Sequence, residues 1–154
     1  KRSHKLFEMQ KTTLTYIKYP LVIICSILCL SGVRWLISSE PWILDQVANE
    51  ERLKMTFIDL FLVEGNQTLA DYLTQVYRFL GLYVLGIGCI LLSFTSNKFL
   101  EIFMVRQRFL IVLGILLVSN LILGYVWIPS SHFIYVMWGA IGLYSISLYN
   151  HVKA

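Results

Sequence analysis

Arg34 and Arg78 are the residues whose chemistry departs most from their surroundings. Each lies inside a long apolar run, about one helical turn from its outer end. A guanidinium presents a planar fork of donors suited to a carboxylate or a phosphate. At a bilayer centre it costs about 2.5–3.5 kcal/mol, and less near the interface. Three roles are open to the pair: an ion pair with Glu40, Asp59, Glu64 or Asp71, snorkelling to the interface, or an anion site for a lipid phosphate or small acid. The ion pair leads, so both groups are expected to point into the bundle, within reach of a carboxylate from residues 38–72. Asn120, midway along a third apolar run, completes the candidate ligand-binding set. An amide at that depth is expected to bond across to another helix, as structural glue before ligand contact.

Other chemistry finds little support. Cys25, Cys29 and Cys89 all fall in apolar runs and read as buried, inert thiols that form no disulfide; Cys25 and Cys89 lie at similar depth. Cys25 and Cys29 are one residue too far apart for a C-x-x-C redox motif. His132 and His151 stand 19 residues apart, roughly 28 Å along a helix, too far to be axial ligands of one haem. Neither a metal-spaced set nor a Ser–His–Asp arrangement is legible, so no catalytic residue, metal ligand or cofactor is expected. Gly81, Gly86 and Gly88, and then Gly139, Ala140, Gly142 and Ser145, mark helix faces for close packing rather than a phosphate loop. Asn66-Gln67-Thr68 matches the short N-glycosylation tripeptide.

The elements that carry these residues follow from composition. The chain has 154 residues, 57% hydrophobic and 14% charged, whereas soluble domains run near 45–50% apolar and about 25% charged. Four runs reach spanning length, at about residues 19–37, 73–94, 109–128 and 133–149. The net charge of +4 is distributed along the topology rather than gathered into a groove for nucleic acid. Nine Lys and Arg lie in the N-terminal tail, the loop after the second run and the C-terminal tail; Arg52 and Lys54 alone lie in 38–72, beside seven acids. The positive-inside rule then puts both termini in the cytoplasm. Trp35, Trp42, Tyr125 and Trp127 gather at the outer interface.

Within the outer loop, Ser38-Ser39-Glu40-Pro41 reads as a helix start. Met55–Val63 is too short to span and reads as an interfacial helix, closed by a turn at Gly65-Asn66. On the inner side, Asn97–Val105 reads as a short surface helix. The expected fold is all-α: one domain, a four-helix antiparallel membrane bundle, N-in and C-in, with an interfacial helix in the outer loop.

Arg34-Trp35, then Glu40-Pro41, then Tyr77-Arg78-Phe79-Leu80-Gly81 with Gly86 and Gly88 give the first two runs a pattern that resembles small four-helix bacterial membrane proteins of uncharacterised role. The resemblance implies a four-helix fold in a bacterial cytoplasmic membrane and carries no activity. The function expected is that of a non-enzymatic structural or accessory membrane protein, with lipids and either further copies or other membrane proteins as partners. The alternative is a binding or transport protein with an outer-leaflet pocket for an anionic lipid or small acid around Arg34 and Arg78.

Overall fold

The computed structural model describes the backbone of residues 2–153 and the side chains of residues 12–153. It is all-α. A long helix α1 (Arg2–Ile37) leads to a 3-10 turn (Pro41–Asp45), two short helices, α2 (Gln46–Leu53) and α3 (Phe57–Leu62), and the long α4 (Leu69–Ser93). The four-residue α5 (Asn97–Leu100) joins α4 to the hairpin of α6 (Phe103–Trp127) and α7 (Phe133–Lys153). Thr12–Ile37 of α1, α4 and α6 are long and apolar enough to cross a membrane, and α7 is a fourth long helix packed against α1 and α6. The chain is an integral membrane protein. Helices suit that solvent because every mid-span backbone group is bonded within its own segment.

Helix α1 is the spine. Its C-terminal half meets α4 at backbone contact: a Cβ built on Gly32 would sit 2.5 Å from the Leu85 nitrogen and 2.8 Å from the Gly81 oxygen. One built on Gly88 would meet Cys29 at 2.8–2.9 Å. Only hydrogen fits at these positions. The other half of α1 meets α7, where the fully buried Ser147 donates to the Ile17 carbonyl at 2.9 Å. That bond lies next to Pro20, which lacks the N–H that would close one rung of α1. Helix α7 in turn packs on α6, whose Gly114 leaves room for the Tyr144 ring, and the Tyr144 hydroxyl donates to the Leu110 carbonyl at 3.0 Å.

The core gathers Ile17, Leu21, Ile24 and Cys25 of α1 with Leu110, Leu113 and Leu117 of α6, joined by Leu91, Leu100 and Met137. Helices α4 and α6 barely meet. By close backbone approach the long helices follow one another as a row, α4 to α1 to α7 to α6, and side chains of all four share the one core.

Two polar ends result. At the acidic end, the Glu51 carboxylate accepts from the Ser130 hydroxyl, Arg52 lies 4.7 Å over the Trp127 ring, and His132 Nδ1 lies 3.5 Å from Asp45. These contacts clamp the 38–72 segment onto the α6–α7 turn. The segment's expected helix is shorter than the apolar run: α3 starts at Phe57, capped by Thr56, whose hydroxyl accepts from the Asp59 N–H at 3.1 Å. Trp42, Phe57 and Phe61 form its aromatic cluster. Gly65 has φ +94°, as a turn there requires. At the basic end, the surface helix expected over 97–105 is split. Residues 97–100 form α5, and from Phe103 onward the chain already belongs to α6.

Candidate functional site

Arg34 and Arg78 lie at one level but do not enter the bundle. Gly81 sits against Gly32, Trp35 and Leu36, and Arg78 is three residues, about 4.5 Å, nearer the acidic end. Both arginines are exposed, and neither makes an ion pair among the described residues. The expected inward, carboxylate-paired geometry is therefore corrected. Arg34 is two positions from the contact glycine, about 200° around the helix, so it faces away from α4. The acids meanwhile have local work. Glu50 accepts from Gln46 and from the Phe57 N–H, Asp59 accepts from Thr56, Glu51 is bonded to Ser130, and Asp45 faces His132. A cleft at this end is lined by Ile43, Leu44, Val47, Ser130 and His132, and neither arginine takes part in it.

Asn120 is also corrected. Its amide donates to the Leu116 carbonyl at 2.8 Å, four residues back in its own helix. The amide is half-buried and is satisfied within its own helix. The three candidates are not brought together. All three thiols are free, and the pair in contact is Cys29 with Cys89, sulfurs 3.9 Å apart, rather than Cys25 with Cys89. The Gly88–Cys29 approach sets that register.

The most constructed polar cluster lies at the basic end, and the sequence did not single it out. Arg106, in the first turn of α6, donates from Nε to His151 Nδ1 at 2.8 Å and from Nη1 to the Leu100 carbonyl at 2.9 Å. Both side chains are 8% exposed. Phe103 stacks on the His151 ring with centroids 5.1 Å apart and lies 5.6 Å from the Arg106 guanidinium carbon. The signal was the hairpin itself. Antiparallel helices folded about residues 129–132 bring the start of α6 level with the end of α7.

His151 lies beyond the apolar stretch of α7, and its Nδ1 must be unprotonated to accept from Arg106. Burial, then the adjacent Arg106 charge, hold its pKa below the ordinary 6.5. The unfolded chain therefore takes up a proton before the folded one does. Stability from this contact is full above pH 6.5 and is lost as pH falls through the lowered folded value. The wild-type melting temperature should drop as pH falls below 6.5, and His151→Gln should flatten that slope. His4 and His132 are present in both proteins and cancel. Parallel curves for the two proteins would disprove the assignment.

Among the described residues, no three His, Cys, Asp or Glu side chains come together. What the geometry offers is recognition of anions by guanidinium groups and close approach of helices. Comparison of the chain with protein-family models, curated proteins and solved structures finds no match.

Proposed function

We propose that this chain is a non-enzymatic accessory protein of a bacterial cytoplasmic membrane. In this reading it crosses the bilayer four times, both ends inside, and assembles with a second copy or another membrane protein through the outward face of α7. One observation carries it. A Cβ on Gly32, Gly81, Gly88 or Gly114 would strike a neighbouring helix, whereas Gly139 and Gly142 have no atom within 4 Å. The two lie on one side of α7 with the exposed Tyr135, Ile146 and Tyr149. In lipid, helices associate by close packing rather than by escape from water, so a flat glycine track is where another helix gains most.

The test is Gly139→Leu with Gly142→Leu, which fills the track without touching the row. Native mass spectrometry from lipid nanodiscs should find the wild type as an assembly and the variant as a monomer. Melting temperatures should agree once the assembly is dissociated. A wild type that is a lone monomer in membranes and in detergent would sink the reading.

A second reading is favoured by the exposed arginines. Arg34 and Arg78, exposed and without carboxylate partners near the acidic end, each offer a guanidinium to a phosphate or carboxylate at the head-group plane, on separate faces because Arg34 turns away from α4. It differs from the first in its dependence on ligand rather than on a partner helix.

A further inference from the structure

We propose that Arg106, held by His151 and the Leu100 carbonyl, is a receptor for one phosphate oxyanion at the basic end, as carried by an anionic phospholipid or by free phosphate. This goes beyond the partner-helix reading and rests only on the chain's membrane location.

The first ground is an uncompensated charge. Arg106 is buried, yet both groups it bonds are neutral, a carbonyl and an imidazole nitrogen. No carboxylate lies within ion-pair reach among the described residues. A buried cation without a counter-ion costs several kcal/mol, so a chain that keeps one at a polar end leaves a place for an anion from outside.

The second ground is where the free donors point. A guanidinium has five N–H groups, and two are engaged here. Among the described residues no buried side-chain nitrogen or oxygen lacks a partner. The Nη2 edge, which has none, is thus the part of the side chain that reaches the surroundings. Two bonds and the Phe103 ring fix the rest, so the free N–H groups of Nη2 and Nη1 are presented in one orientation, as a fork for phosphate oxygens.

The third ground is the surrounding field. The first turn of α6 holds no acid. The Arg106 N–H is the first in α6 to find a carbonyl four residues back, in Ile102. The amides of Phe103, Met104 and Val105 precede it, as the orphan donors of a helix start do. Lys98 and Lys153 lie at the same end, where Lys18 is engaged by Asn97 at 2.8 Å. Glu101 is the one described acid there; it is exposed and makes no ion pair. Arg106 sits one turn inside α6, opposite the last turn of α7 and just before the apolar run that starts at Phe109.

The experiment uses the full chain in nanodiscs of phosphatidylcholine, with and without phosphatidylglycerol, read by native mass spectrometry and melting temperature. The wild type should retain one phosphatidylglycerol about tenfold above phosphatidylcholine, whose choline cation offsets the charge of the same phosphodiester beside the guanidinium, and should melt higher with it. Arg106→Gln should lose both effects, while Arg108→Gln, an equal charge change at an exposed position, should keep them. Inorganic phosphate added to phosphatidylcholine discs separates the sources. A matching rise in the wild type and none in Arg106→Gln assigns free phosphate; a rise with phosphatidylglycerol alone assigns the lipid. Should Arg106→Gln fail to fold, Arg106→Lys keeps the charge, loses the fork and should retain severalfold less lipid. Three results overturn the proposal: no preference in the wild type, equal loss in the Arg106 and Arg108 variants, or an Arg106 variant weakened in every lipid with its preference intact.

Discussion

Gly32→Val should detach α4 from α1, with a loss of about 3 kcal/mol or more and a collapse of the thermal transition in detergent. Even alanine is too large, since its Cβ would lie 2.5 Å from the Leu85 nitrogen and 2.8 Å from the Gly81 oxygen. Those are backbone atoms, which cannot rotate away as a side chain can. The helices must separate, and separation loosens the contacts at Gly81 and at Gly88 against Cys29 together. Nothing else holds α4 strongly. Beyond α1, its neighbours are the 3-10 turn and the core that its own Leu91 joins, and it scarcely meets α6. In lipid the loss of van der Waals contact is not offset by a hydrophobic force drawing the helices back. Gly86→Ala is the control: its added Cβ meets nothing within 4 Å, so stability should stay within about 0.5 kcal/mol. Equal melting temperatures for the Gly32 and Gly86 variants would show that the close approach carries no energy.

Surface labelling should be all or none across the two ends. With Cys25, Cys29 and Cys89 replaced by serine, Glu64→Cys in intact cells should react fully with a thiol reagent that cannot cross the membrane. Lys98→Cys should react only after the cells are broken. Both positions are exposed, so access to the reagent decides the result. The expectation combines two facts. The clamp of Glu51, Arg52 and Asp45 onto Ser130, Trp127 and His132 puts residues 38–72 and the α6–α7 turn at one end. The Lys and Arg excess lies at the other, which insertion keeps in the cytoplasm. Labelling of Lys98→Cys with Glu64→Cys spared would invert the orientation and leave the fold untouched.

Much of the architecture was legible because a bilayer permits so few solutions. Apolar runs of spanning length have to be helices, and α4 and α6 stand where those runs predicted, within about two turns, while α1 ends at Ile37 as its run does but begins at Arg2 rather than near residue 19. The turn at Gly65 and the 3-10 start at Pro41 were likewise local matters, settled by which residues tolerate positive φ or lack an N–H. The roles of the polar residues were not local. Counting seven acids near Arg34 and Arg78 suggested ion pairs, yet capping and clamping within the 38–72 segment engage four of those acids first, and helical phase turns Arg34 outward. Asn120, expected to bond across to another helix, bonds instead to the Leu116 carbonyl of its own.

Glycine content marked α4 and α7 as packing helices, but sequence could not say which glycines are already filled; that depended on which helix came to rest against which. Arg106 and His151, 45 residues apart, carry no motif at all. By itself the sequence determined the solvent of this protein and the sign of charge at each end, because both follow from transfer energies summed over segments. The row order of the helices, the filled and open glycines and the buried arginine were decided only in three dimensions, because contact at 3 Å depends on helical phase and register that composition does not encode.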